Sequence, residues 1–469
     1  MCKIKIGFCP TRRDCFSREE AWKYRDLIKE SLKVHDVDLV DLEGINEEAL
    51  LCRQEDPQKV IDRFTAEKVD AVFFPHCNFG SETLVSRVAR AMKLPVLLWG
   101  PRDDRPDAEG IRSRDSQCGL FATGKVLRRH CVPFTYLTNS RLDSEEFHKG
   151  FEKFLAVTRV VKAMGDLKIL QISTRPEVFA SVICNENELL EKFNVHLYPI
   201  TLTEVAAEMG RVQEENGEEY RNTVAYIRKL DPKAQEKGAQ ATAALKIAMK
   251  RYAGFYQCSA VAIQCWSALQ METGIMPCLA NALLTEDGLP VACETDVHGA
   301  ISAVMLRAAM GEGSVPFFAD VTVRHPENDN AELLWHCGNF PPCLAKNRDN
   351  VSFDGNPYMA DKNFGIIQNE LKDGALTIAR FDGDHGNYTL LLGEAVTTDG
   401  PMNKGSYVWI QTGNWPKWEH KIVEGPYIHH VSGGYGRHAD VLMEACKYIP
   451  GLEPDPVEPT MEELQARWW

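Results

Sequence analysis

Apolar and polar positions follow three rhythms along the chain. In the first third, short apolar runs alternate with amphipathic stretches. "KIKIGFCP", "VDLVDL", "VDAVFFP" and "PVLLWG" read as strands, and "SREEAWKYRDLIKESLKV", "PQKVIDRFTAEK" and "SETLVSRVARAM" as helices, the first with Ser17 at its N-cap and Glu20 three positions on. Strands this uniformly apolar are covered on both faces, which predicts a parallel, doubly wound sheet. After the helix "SEEFHKGFEKFLAVTRVVKAM" the alternation restarts. "LKILQIS", "VHLYPIT", "SAVAIQCW" and "LPVACE" read as strands, "ENELLEKF" and "GAISAVMLRAAMG" as helices, and a long charged helical region covers roughly 203–253. The last part changes to period-two alternation with Gly, Asp and Asn turns, in "FFADVTV", "ELLWHCGN", "LTIARFDGDHGNYTLLLGEAVTTDG" and "GSYVWIQTGN", which predicts an antiparallel sheet or small barrel. A helix, "HADVLMEACKYIPG", stops at Pro450–Gly451, and the acidic, proline-rich "LEPDPVEPTMEELQARWW" reads as an extended tail.

The expected architecture is therefore α/β: two doubly wound parallel-sheet domains followed by a mainly antiparallel β domain. The boundaries are drawn at 1–160, 161–312 (carrying Glu294) and 313–469 (carrying Asp320 and His430). A length of 469 residues exceeds one ordinary core. The net charge of −14 disfavours nucleic acid or an anionic membrane as the main partner. No apolar run reaches the ~18 residues of a membrane span, and "MCKIKIGFCPTRRD" meets charge too early for a signal peptide. The 15 cysteines lack any C-x-x-C pair, which predicts reduced, mostly buried thiols in a cytoplasmic protein and no structural zinc motif. The neighbours His76–Cys77, His130–Cys131 and His336–Cys337 read as coincidence rather than as ligands.

Candidate chemistry sits where apolar strands end in acids. "VACETDVHGA" delivers Glu294, then Asp296 and His298, and "VPFFADVTV" delivers Asp320. Ligands of open α/β sheets gather outside the carboxyl ends of the strands. Two carboxylates in one desolvated pocket repel, and a divalent cation is their natural counter-charge; the other reading makes each an independent helix cap or surface acid. "GPYIHHVSGG" supplies His429 and His430, and one imidazole with two carboxylates forms an N,O,O set suited to Mn²⁺ or Mg²⁺. Arg12 and Arg13 follow the first strand, Gln264 and Trp266 end another, and Trp415 and Trp418 fall in "QTGNWPKWEH", read as a loop whose indoles bind a ligand or seal an interface. "GYGRHA" matches a dinucleotide loop, but too few residues follow for a βαβ unit, so it reads as a turn into a helix.

At these residues the chain resembles the L-fucose isomerase family, relatives of L-arabinose isomerase. Family members carry Glu in a "TEND" context, here "CETDVHGA" with Glu294, and Asp in "FADV", here intact with Asp320, about 26 residues on. Their C-terminal "NHG…GH-x-x-AD" pattern is matched by "HHVSGGYGRHAD", which puts the ligand histidine on His430. A "Q-x-x-x-x-W" element is shortened here to "QCW", with its amide on Gln264, and an Arg-Arg pair follows the first strand. Two departures stand out: His429 replaces the Asn before the ligand histidine, and "HCGNFP", with Asn339, replaces a serine-rich segment. Both lie around the sugar pocket and bear on substrate identity more than on reaction type.

The resemblance implies a metal-dependent aldose–ketose isomerase that acts on an open-chain sugar through an enediolate. Glu294, Asp320 and His430 would hold Mn²⁺ (or Mg²⁺, Co²⁺ or Zn²⁺), and the two carboxylates would carry protons. Arg12, Arg13, Gln264, Trp266, Asn339, Trp415, Trp418 and His429 would orient the sugar. It also implies a homo-oligomer, often hexameric, whose pocket is completed by a neighbouring subunit. Two alternatives remain open: an isomerase of an unusual or anionic sugar such as sulfoquinovose on the same scaffold, and a non-catalytic sugar-binding protein.

Overall fold

A computed structural model describes residues 3–355 and 364–458, together with Thr460, Met461 and Glu463. The chain separates into two compact units, 1–162 and 163–469.

The N-terminal unit is a parallel sheet of five strands. Their order is Val37–Val40, Ile4–Phe8, Ala71–Pro75, Val96–Trp99 and Thr135–Tyr136. Helices cover both faces, and each face has its own apolar cluster: Ile6, Phe8, Phe73 and Phe151 on one, and Val72, Phe74, Val85 and Leu98 on the other. This is why the strands read as unbroken apolar runs rather than as alternating ones. Ser17 caps the first helix by accepting the Glu20 N–H at 3.1 Å.

The second unit opens with a four-stranded parallel sheet in the order His196–Ile200, Lys168–Ile172, Ala260–Ile263, Val291–Ala292. The charged region before the third of these strands is three helices, Leu202–Glu215, Glu218–Leu230 and Glu236–Tyr256. The helix Val297–Met310 is apolar and buried all round because it is packed on two sides. It leaves the end of the parallel sheet and lies against strands of the C-terminal sheet, Ala375–Asp384 and His430–Tyr435. Parallel sheet and C-terminal sheet thus belong to one compact unit.

The C-terminal sheet contains a closed antiparallel ring. Ser406–Gln411 pairs with Ala331–His336, which pairs with Phe317–Arg324, then His430–Tyr435, Ala375–Asp384 and Asn387–Thr397, which returns to Ser406–Gln411. Alternate residues of these strands fill the ring, among them Phe317, Ala319, Leu334, Ile378, Leu391, Val408 and Val431. The ring is the small barrel that the period-two pattern predicts.

Two segments differ from their sequence reading. "NWPKWEH" is not a loop: Trp415–Glu424 is a helix capped by Asn414, and both indoles are buried in the barrel cluster. Within the stretch read as an extended tail, Leu452–Pro456 pairs in parallel with Asn387–Thr397 and joins the sheet. The rest of that tail, at Pro459, Glu462 and 464–469, lies outside the described residues.

Candidate active site

The site is assembled by one turn and three barrel strands. After Val291–Ala292 the chain turns through Cys293, Glu294 and Thr295 before the helix begins at Val297. Glu294 and Thr295 both adopt left-handed backbone, at φ 54° and 57°. Such a conformation costs a non-glycine residue roughly 1–3 kcal/mol, and it persists where the surroundings dictate it. Here the Thr295 N–H is held by the Ile263 carbonyl at 3.0 Å. Glu294 Oε1 accepts the Cys265 thiol at 3.0 Å and the Trp266 indole N–H at 3.2 Å. Its other oxygen, Oε2, is buried and accepts no hydrogen bond.

Asp296 caps the helix that follows, accepting the Gly299 N–H at 2.9 Å. A Cβ on Gly299 would lie 2.5 Å from Phe318 and 2.6 Å from Asp296 Oδ2, so glycine is required for this close approach. The second carboxylate oxygen of Asp296 receives His430 Nδ1 at 2.9 Å, and Arg380 Nη2 donates to Oδ1 at 3.1 Å. Arg380 Nε in turn donates to Asp382 at 2.8 Å, and His298 Nδ1 donates to the other Asp382 oxygen at 2.8 Å. An ionised carboxylate only accepts, so the proton of neutral His430 sits on Nδ1 and the Nε2 lone pair is aimed away from Asp296.

That lone pair points at the two acids. In the strand Phe317–Arg324, Phe317 and Ala319 face the barrel interior, so Phe318, Asp320 and Thr322 face outward. Asp320 is directly opposite His430 in the antiparallel register, which puts both side chains on that outer face. His430 Nε2 is 3.5 Å from Asp320 Oδ1 and 3.9 Å from Glu294 Oε2, and His336 Nε2 is 3.7 Å from Glu294 Oε2. Glu294 Oε2, Asp320 Oδ1 and His336 Nε2 are all buried without a hydrogen bond. Ligands held ~2.1 Å from one ion lie roughly 3–4 Å from one another, so Glu294 Oε2, Asp320 Oδ1 and the His430 Nε2 lone pair fit a divalent cation, with the His336 Nε2–H as a hydrogen-bond donor beside them.

Charge in the cluster follows the same logic. Burial pushes the Glu294 carboxyl up, but His336 and His430 outweigh it and hold it at about 2. Burial also pushes Asp296 up, and Arg380 and His430 hold it well below the carboxylate range. Burial works against a charged His430, yet Asp296, Asp320 and Glu294 raise it above its ordinary value. Glu294 and Asp296 stay ionised and draw positive charge beside them.

A cavity of about 490 Å³ opens over these groups. Phe179, Trp266, Thr322, Trp335, Asn403 and His429 line it, and its lining among the described residues holds no lysine or arginine. Glu294, Asp320, His430, Trp266 and His429, all singled out from sequence, therefore meet at one place. Gln264 does not line the cavity; its amide oxygen accepts the Ser173 hydroxyl at 2.9 Å. Asn339 is buried behind the turn, donating to Cys293 Sγ at 3.5 Å. Trp415 and Trp418 stack within the barrel core, their ring centroids 6.2 Å apart. Arg12 and Arg13 belong to the N-terminal unit. There Glu48 clasps Arg12 at 2.6 and 2.8 Å, and Arg13 Nε donates to the Gly80 carbonyl at 2.9 Å.

His336 is the residue that sequence reading missed. The sequence reads it as a chance His–Cys neighbour, yet its ring is at the site, with its Nδ1 accepting the Cys337 N–H at 2.9 Å. The available signal was its position at the end of a barrel strand whose neighbour carries Asp320, and that adjacency exists only once the strands pair.

Comparisons with known proteins extend along the chain. A family described as "Fucose/sulfoquinovose isomerase, N-terminal domain" matches residues 7–165. Relatives from Priestia aryabhattai and Priestia megaterium, both called sulfoquinovose isomerase, are each 26% identical over 449 residues, covering 95% of this chain and 97% of the relative. A third protein of that name, from Alkalicoccus urumqiensis, is 27% identical over 338 residues, or 71% of this chain and 73% of its own.

Proposed function

The chain belongs to the fucose isomerase-like family and is an aldose–ketose isomerase, and from that premise we propose that it interconverts sulfoquinovose and the corresponding 2-ketose at the Glu294–Asp320–His430 cluster. The observation that carries this reading is the meeting of two buried carboxylate oxygens without hydrogen bonds, Glu294 Oε2 and Asp320 Oδ1, with the lone pair of His430 Nε2. Similarity to proteins called sulfoquinovose isomerase over 95% of the chain supports the substrate.

Glu294, Asp320 and His430 would hold a divalent cation such as Mn²⁺, Mg²⁺ or Co²⁺, with His336 beside them. The bound ion would polarise the sugar carbonyl and stabilise negative charge on the substrate oxygens. Isomerisation moves one hydrogen between C1 and C2. Glu294 is ionised and therefore able to take a proton, and the bonds from Cys265 and Trp266 leave its Oε2 turned to the cavity. Asp320 is the second carrier, and the two exchange roles when the reaction reverses. His430 is a neutral ligand whose orientation is set by Asp296. Trp266, Trp335 and Phe179 exclude water from the enediolate, and Asn403, Thr322 and His429 supply polar contacts to the sugar hydroxyls.

The sulfonate needs a cation, and the described lining holds no lysine or arginine. We assign that charge to a second copy of this chain, in a homo-oligomer such as the hexamer implied by the family resemblance. A cytoplasmic location completes the proposal; among the described residues no helix is long and apolar enough to cross a membrane.

The test is ketose formation followed by NMR with Mn²⁺ present, comparing sulfoquinovose, L-fucose, D-arabinose and L-arabinose. We expect kcat/KM for sulfoquinovose to exceed that for the neutral sugars by roughly 100-fold or more, since a site built to pair an anion strongly rejects analogues lacking it. Chelation should abolish turnover and Mn²⁺ restore it. A preference for L-fucose would overturn the substrate, and full turnover after metal stripping would overturn the ligand set.

A further inference from the structure

The Glu294 carboxylate has two chemically different sides. Oε2 faces imidazoles and Asp320, while Oε1 faces sulfur. Cys265 Sγ donates to Oε1 at 3.0 Å and accepts the Glu294 backbone N–H at 3.4 Å. Cys293 precedes Glu294 in the same turn, and ligand atoms of Cys265, Cys293 and Glu294 all lie within 4.8 Å of one another. All three residues are buried. Cys293 Sγ receives amide N–H bonds from Asn281 at 3.4 Å and Asn339 at 3.5 Å. Both asparagines are buried and leave their carbonyl oxygens without a hydrogen bond. An unpaired buried amide oxygen is costly, so two such amides directed at one sulfur form a built shell of donors, suited to stabilise a thiolate when a metal takes the thiol proton's place, rather than passive packing.

We propose that Cys265, Cys293 and Glu294 Oε1 form a second metal site, selective for thiophilic divalent cations such as Zn²⁺ or Cd²⁺, that competes with catalysis for Glu294. One ion with sulfur at ~2.3 Å and oxygen at ~2.0–2.2 Å holds its ligand atoms roughly 3.5–4 Å apart, and these three, already within 4.8 Å of one another, reach that spacing by side-chain adjustment in which Cys265 Sγ and Glu294 Oε1 part from 3.0 Å. Binding releases two protons, one from each thiol, and replaces the Cys265–Glu294 hydrogen bond with two bonds to the ion. Amide N–H groups from Asn281 and Asn339 then stabilise the thiolate charge. Hard ions such as Mn²⁺ and Mg²⁺ prefer the oxygen and nitrogen donors on the other side of the carboxylate. Thiophilic ions would therefore inhibit by drawing Glu294 away from the cavity. The inhibition rests on the catalytic role proposed for Glu294, whereas the coordination does not.

The probe is Cd²⁺ itself. Full-length protein is prepared with Cys2 and the exposed Cys15, Cys118 and Cys131 replaced by serine, and is then stripped of metal and titrated. We expect one equivalent of Cd²⁺ to produce a near-ultraviolet sulfur-to-cadmium charge-transfer band, displaced by Zn²⁺ but not by Mg²⁺. The band should fall by about half in Cys265→Ser or Cys293→Ala and vanish in the double variant. A ¹¹³Cd NMR shift on the parent protein, reporting two sulfur ligands, keeps the test intact should the variants fail to fold. No band at one equivalent, or a band that survives both substitutions, would overturn the site. A band in a protein that does not isomerise sulfoquinovose would leave this site standing and remove only the substrate assignment.

Discussion

His430 Nδ1 donates to Asp296 Oδ2 at 2.9 Å across 134 residues of chain. This one bond ties the N-cap of the central helix to the barrel strand that carries the imidazole. Asp296 cannot turn away, because Arg380 holds both its oxygens and Asp382 holds Arg380. The polar end of "VACETDVHGA" therefore has two duties. Asp296 is a helix cap, as the plain reading has it, and it is also the group that aims a ligand histidine.

Replacing Asp296 by Asn should weaken Mn²⁺ binding by roughly 10–100-fold, the usual effect of losing a carboxylate behind a metal-bound histidine. Isothermal titration with Mn²⁺ checks this. Unaltered affinity in a folded variant would show that His430 needs no orienting partner.

Glu294→Gln keeps the shape of the side chain and removes the proton acceptor. Solvent deuterium incorporation at substrate C2, followed by NMR, should fall on the order of 10²–10⁴-fold, the range for loss of a general base. Exchange at the parental rate would take Glu294 out of the proton-transfer step.

Trp418 tests whether the C-terminal indoles bind sugar or build the barrel. It is buried against Gly393, where a Cβ would come within 2.0 Å of its ring. Trp418→Ala should cost roughly 3–5 kcal/mol in chemical denaturation, with kcat/KM per folded molecule close to parental. A large rise in KM with little change in stability would restore the sugar-contact reading.

Glu332 should make stability pH-dependent. Alternation puts it on the face of Leu334, inside the barrel, where it is 3% exposed. Burial pushes its carboxyl up to about 7, with Arg324 opposing and Glu419 adding to the rise. The folded chain therefore holds a proton there that the unfolded chain gives up near the ordinary value of 4.5. Unfolding releases that proton between the two values, so stability is fully present below about 4.5 and is lost as pH rises through about 7. Between pH 5 and 8 the parent should lose on the order of 1–3 kcal/mol more than Glu332→Gln, at ~1.4 kcal/mol per unit. Parallel stability curves for the two proteins would contradict the buried, protonated state.

Local chemistry determined much of this protein without any fold. The strands Ala71–Pro75 and Val96–Trp99 announce themselves because a sheet covered on both faces demands apolar residues at every position. Glu294 and Asp320 stand out because each ends an apolar run. His336, Arg380 and the cysteines beside Glu294 could not be found that way. Their roles depend on the register that sets Asp320 opposite His430, and on the left-handed turn that points one carboxylate oxygen at imidazole and the other at sulfur. The "NWPKWEH" helix was misread for the same reason: an indole in a polar stretch is ambiguous until the barrel supplies its other wall. Periodicity along a chain records which side of an element is buried. Which buried groups meet is decided by contacts between residues far apart in sequence, and these exist only once the chain has closed on itself.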